Sequence, residues 1–240
     1  YTTLFRSTLL ELAKARGWGT GVVTTTRITH ATPASTYAHI CHRDAENDIA
    51  SQLVPSSQGD TYQRYNVKLK DGVDVILGGG KRQFLPKDQG GERIDQRNLI
   101  AEMQQAGYRV VYDQTQLSQM KLGKNEKLLG LFNTSHLNYD LDRTKKNLPE
   151  PSLKQMTLAA LDILTQNKNG FFLMVEGGRI DHALHDTNAK RALQDTIALN
   201  EALDATIKKL RQSDPELKNT LIVITADHDH TLILNGYAKR

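Results

Sequence analysis

The 240 residues are enough for one sizeable α/β domain with a real core. Hydrophobic content of 38% and charged content of 24% fit an ordinary globular chain, and the longest apolar runs are far too short to span a membrane. The net charge of +4 is mild and spread along the chain, which argues against a nucleic-acid surface; the single cysteine, Cys41, excludes an internal disulfide and a cysteine-based zinc site, and reads as a small half-buried residue.

Taken in chain order, Thr8–Arg16 carries a helical stripe of Leu9, Leu10, Leu12 and Ala13, stopped by Gly17 and Gly19. The β-branched run from Gly21 predicts a strand. A loop over 27–32 then feeds a helix in which Pro33 is a first-turn residue, and 44–54 continue as helix with Ile49, Ala50 and Leu53 inward. Val73–Leu77, Tyr108–Tyr112 and Gly130–Phe132 read as strands, with a helix over 98–106 and polar loops over 80–97 and 133–150. Pro151 and Ser152 open a helix to about Gln166, and Phe171–Val175 is a central strand. Thr187–Arg211 is a long helix with Ala192, Ile197, Leu203 and Ile207 on or near one face, and Leu221–Thr225 is the last strand. Strands alternating with helices predict a three-layer α/β fold, a mostly parallel central sheet flanked by helices.

Two ligand-rich clusters each follow an apolar strand. The first is Glu176-Gly-Gly-Arg-Ile-Asp181-His182-Ala-Leu-His185; the second is Asp227-His228-Asp229-His230. Carboxylates and imidazoles suit zinc and magnesium, and the carboxyl ends of strands are where open α/β sheets place active sites. Asp181 and His185 are four apart, so a helix there puts both on one face. Asp227 and His228 are adjacent and reach a metal only from an extended strand end. Two clusters after two buried-type strands point to one metal centre.

The stretches Thr29-His-Ala-Thr-Pro-Ala-Ser-Thr-Tyr-Ala-His39, Asp74-Val-Ile-Leu-Gly-Gly-Gly80, Val175–His185 and Thr225–His230 resemble alkaline phosphatase, in matching order and spacing from about residue 8 onward. That resemblance implies hydrolysis of phosphate monoesters through a phosphoserine intermediate, with two Zn2+ and one Mg2+ as cofactors. Thr32 and Glu176 then resemble the magnesium ligands, Asp181 and His185 ligands of one zinc, and Asp227 and His228 ligands of the other. Arg43 resembles the arginine that clamps two phosphate oxygens, a task for which a guanidinium fork is suited. His30 and His182 resemble residues just behind the metal ligands. Asp229 and His230 are read as lying outside the ligand set, His39 and His42 as structural, and His136 is given no role. The resemblance further implies inorganic phosphate as the product, a homodimer when full length, and a periplasmic or secreted location.

The chain departs from the family pattern at both ends. The family's nucleophilic Asp-Ser-Ala stretch, and further upstream its metal-bridging Asp, precede the helix near residue 8. A late histidine ligand follows position 240. The chain thus reads as one partial domain over 1–240, with 1–7 a foreign extension, and as inactive by itself. The rival expectations are a phosphodiesterase or sulfatase on the same scaffold, and a remnant that binds metal or phosphate without turning it over.

Overall fold

The computed structural model describes residues 6–55, 67–121, 123 and 126–231. Positions 1–5 of the expected extension and the closing residues 232–240 lie outside them. Five parallel strands form one sheet: β1 (Gly19–Arg27), β2 (Val75–Gly79), β3 (Tyr108–Val111), β4 (Lys127–Leu131) and β5 (Phe171–Glu176), in the order β3-β4-β2-β1-β5. This is the architecture expected from the alternating elements. β2 is central, and β1 lies between it and the edge strand β5, with Thr24 opposite Glu176 of β5 in register.

Successive residues of the inner strands point to opposite faces, so each inner strand feeds two cores. On one face Val22, Ile76 and Leu129 pack with Leu10 of α1 (Leu9–Ala15), Ile49 of α3 (Glu46–Ser51) and Met103 of α4 (Leu99–Gln105). On the other, Val23, Val75, Leu77 and Leu128 pack with Leu117 of α5 (Gln114–Gln119) and with Met156, Ala160 and Leu164 of α7 (Leu153–Leu164). Each fully buried Val, Leu or Ile contributes roughly 1.5–3 kcal/mol. Two helices start on reciprocal caps. The Thr8 hydroxyl accepts from the Glu11 N–H while the Glu11 carboxylate accepts from the Thr8 N–H, and Ser152 with Gln155 repeats the arrangement at α7.

The remaining helices are α2 (Ala31–Ala34), α6 (Asp140–Lys145), α8 (Arg179–His185) and α9 (Ala189–Leu210). Six expectations change. β5, expected as a central strand, is an edge strand among the described residues, and Cys41, expected half-buried, is exposed. α2 begins at Ala31, ahead of Pro33, and spans a single turn. α6 and short 3-10 turns at Lys81–Gln83 and Lys87–Gln89 occupy stretches that read as polar loop, and α5 a stretch given no element, because local caps such as Asp113 on the Gln116 N–H stabilise turns that carry little apolar periodicity. Ile197 is 50% exposed: the buried face of α9 follows Ala192, Asp195 and Ala202, and at 100° per residue position 197 falls on the opposite side. The expected last strand, 221–225, pairs with no strand among the described residues, and Leu221 and Val223 are 88% and 74% exposed. β-branched residues favour an extended chain, but a strand exists only when a neighbour takes its hydrogen bonds, and among the described residues none lies beside this segment.

Candidate active site

The carboxyl ends of β1 and β5 meet at a single buried carboxylate. Glu176 closes β5, and its Oε2 accepts from the Thr24 hydroxyl at 2.5 Å and the Thr26 hydroxyl at 3.0 Å. The Thr32 side chain, on α2, is near enough to favour its charged form. Burial pushes the Glu176 carboxyl up, and these hydroxyls only partly offset that. A buried carboxylate ringed by neutral hydroxyls lacks a compensating charge, which is the chemistry a hard divalent cation supplies. Thr32 and Glu176 therefore fit a magnesium ion. Gly178 is required here by space: a Cβ would lie 2.3 Å from Thr26 Cγ2 and 2.9 Å from Glu176 Oε1.

A second group forms where α8 meets the segment after 225. Asp181 Oδ1 lies 2.7 Å from His230 Nε2, 3.4 Å from His185 Nε2 and 3.8 Å from His228 Nε2. Ligand atoms of Asp181, His228 and His230 all fall within 4.8 Å of one another. One carboxylate among imidazoles is a zinc-type donor set. Burial raises the Asp181 carboxyl, but the His230 hydrogen bond and the His185 and His182 charges outweigh it, and the net shift is downward. His228 is shifted upward by its bond to the Asp229 carbonyl and by the Asp227 charge. Asp227 Oδ2 stands 3.6 Å from His228 Nε2. The two ligand pairs read from the sequence are thus one cluster here, and His230, read as lying outside it, bonds Asp181 directly.

A third group is all imidazole. The rings of His30, His136 and His182 stand edge to face, with centroids 5.3 Å (His30–His136), 5.4 Å (His30–His182) and 4.4 Å (His136–His182) apart. Burial first, then the Arg27 charge, lowers His136 to about 2; burial and Arg179 lower His182 to about 4. His30 is lowered by burial, then by Arg27 and by Arg43, so the charge of the expected phosphate clamp reaches this group. Arg43 itself is exposed. His39 is buried against Glu11 at 2.6 Å, with its backbone held by Gln52, which is the structural role expected of it; His42 is exposed and its Nδ1 accepts from the Asp44 N–H.

Sequence reasoning missed Thr24, Thr26, Arg27, Glu46, His136 and Arg179. Arg27 grips Glu46 with Nε and Nη2, and Thr29 donates to the same carboxylate at 2.5 Å. Arg179 lies over the Tyr139 ring at 3.9 Å and donates to His182 Nδ1 at 2.7 Å. The one available signal for His136 was its place in the loop just after a strand, where α/β sites gather.

The fold and this donor-lined strand end define a chain of the parallel α/β class with side chains of metal-ligand type gathered beyond its sheet. The alkaline phosphatase family model matches residues 5–240, and the chain belongs to that family, one of metal-dependent phosphomonoesterases. It is 38% identical to a membrane-bound alkaline phosphatase of Bombyx mori, over 97% of this chain and 44% of that protein. It is 41% identical to alkaline phosphatase 4 of Bacillus subtilis (strain 168), over 92% of this chain and 42% of that protein. Among solved structures, Thermus thermophilus alkaline phosphatase superposes with a TM-score of 0.73 at 37% identity, covering 86% of this chain and 39% of that one. The chain therefore spans less than half the length of these relatives.

Proposed function

We propose that the protein carrying this chain hydrolyses phosphate monoesters through a phosphoserine intermediate at a site holding two zinc ions and one magnesium ion. The observation that carries this reading is the convergence of Glu176 with Thr32, and of Asp181 with His185 and His228, at neighbouring strand ends beside Arg43's positive charge. Thr32 and Glu176 hold the magnesium; Asp181 and His185 serve one zinc, with His228 and Asp227 serving the other. Bound there, the ions supply charge neutralisation of the phosphoryl group and lower the pKa of an attacking oxygen.

The chain's own residues do the rest. Arg43 takes two phosphate oxygens on its guanidinium fork and orients the ester. Asp181 is itself oriented by His230, a hydrogen bond of the kind that fixes a ligand's geometry. The Thr24 and Thr26 hydroxyls hold the Glu176 carboxylate facing Thr32. The phosphoserine reading needs a serine that none of the site residues named above supplies, and the isolated chain is expected to turn over no phosphate ester. The whole protein is expected to be a homodimer acting in the periplasm or outside the cell; no helix among the described residues is long and apolar enough to cross a membrane.

The test is p-nitrophenyl phosphate hydrolysis by the complete protein after chelation and stepwise return of zinc and magnesium. Activity lost on chelation and regained only with both metals supports the reading. Turnover indifferent to chelation contradicts it.

A further inference from the structure

We propose that His136 is a positioning residue for the His30–His182 pair, completing a triangle of edge-on rings that sets the orientation of both beside Thr32 and Arg43. The inference rests on the phosphomonoesterase reading of that site.

Three close imidazoles suggest a metal site, but their hydrogen bonds point elsewhere. His136 Nδ1 accepts from the Arg27 backbone N–H at 3.1 Å, and its Nε2 is in contact with Arg27 Nη1. Both nitrogens face donors of one arginine; the neutral ring has a single lone pair, and Arg27 takes it in either tautomer. His182 Nδ1 accepts from Arg179 Nη1 at 2.7 Å, which leaves the proton of the neutral ring on Nε2. Neither ring keeps a lone pair for a cation, and two guanidinium charges face the position a cation would take. Of the three rings, only His30 has a buried nitrogen, Nδ1, without a partner.

The loop is built to hold His136 in place. Its neighbour Leu137 donates to the Thr25 carbonyl at 3.0 Å, and the Ser135 carbonyl accepts from the Gly80 N–H at 2.7 Å. A Cβ at Gly79 would fall 2.1 Å from that same Ser135 oxygen, so the glycine lets the loop dock on the strand ends. His136 thus joins β1, through Arg27, to the histidine on α8. Without it, His182 loses the edge contact opposite Arg179 and His30 loses one of its two ring neighbours.

The test uses the complete, metal-replete protein and p-nitrophenyl phosphate, with His136→Ala and His136→Asn. Asn offers Oδ1 where Nδ1 stood, so it keeps the Arg27 N–H bond but not the ring contact. The expected result is a fall in kcat of about threefold in both variants with KM little changed, while Asn alone recovers the thermal midpoint. Histidine-selective 15N NMR should show the His30 and His182 resonances moving in both. Unchanged kcat in His136→Ala, or kcat restored by Asn together with the midpoint, makes His136 a loop clamp only and overturns the proposal. If the wild type hydrolyses no monoester, the functional reading falls, and the NMR alone decides: unmoved His30 and His182 resonances overturn the positioning role.

Discussion

Two histidine clusters draw on the same helix, α8, through His182 and His185, and are opposite in chemistry. His185, His228 and His230 gather around the Asp181 carboxylate, and His185 and His228 are more than half exposed. His30, His136 and His182 gather between Arg27 and Arg179, half-buried, with every ring driven toward its neutral form. The same side chain is suited to a cation in one setting and to hydrogen-bonded spacing in the other. What decides is the sign of the neighbouring charge and whether the ring nitrogens are already taken. Adjacent Asp181 and His182 on α8 face the two settings in turn.

The largest effect should come from the carboxylate that defines the first cluster. Asp181→Asn removes the charge that offsets a bound cation, and is expected to cut kcat/KM of the complete protein by at least about a hundredfold, with loss of one zinc per chain by elemental analysis. Retention of both zincs would erase the contrast between the clusters. Next, Gly178→Ala forces a methyl against Thr26 and Glu176. It should cost roughly 1–3 kcal/mol of stability by overpacking and raise the magnesium concentration needed for half-maximal activity. A variant with wild-type magnesium response would show that the Glu176 carboxylate is not held where it is needed.

A pH effect of intermediate size lies behind the histidine cluster. Asp195 on α9 is 4% exposed and sits near Arg179; burial first, then the Asp140 and Asp142 charges, raise it to about 7. A carboxyl raised above its unfolded value near 3.8 contributes stability below that value and loses it as pH rises through about 7. Asp195→Asn should therefore raise the thermal midpoint at pH 8 by a few degrees, with the gain shrinking through pH 7 and gone near pH 4. A gain that does not depend on pH would show that the carboxyl titrates alike in the folded and unfolded chain. The smallest effect is expected from His182→Lys, which puts a third cation beside Arg27 and Arg179. It should change phosphate release and magnesium dependence by a few-fold, and unchanged kinetics would remove His182 from the site.

Much of this was legible in the sequence because it is local. The strands, the capped helices and the Asp181/His185 helical pair are set by residues a few positions apart. The partners of Glu176 were not legible: Thr24 and Thr26 reach it only because β1 and β5 are sheet neighbours, a pairing across some 150 residues. His136 was missed for the same reason, since Arg27 and His182 lie far from it in sequence and come to it through strand order. The run at 221–225 misled in the other direction. Its composition favours a strand, but strand formation depends on a neighbour that composition does not reveal.

The most direct test is zinc-edge anomalous diffraction from crystals of the complete protein grown with zinc. The account predicts peaks beside Asp181, His185 and His228 and none within the triangle of His30, His136 and His182. A zinc peak inside that triangle, or none beside Asp181, would contradict it.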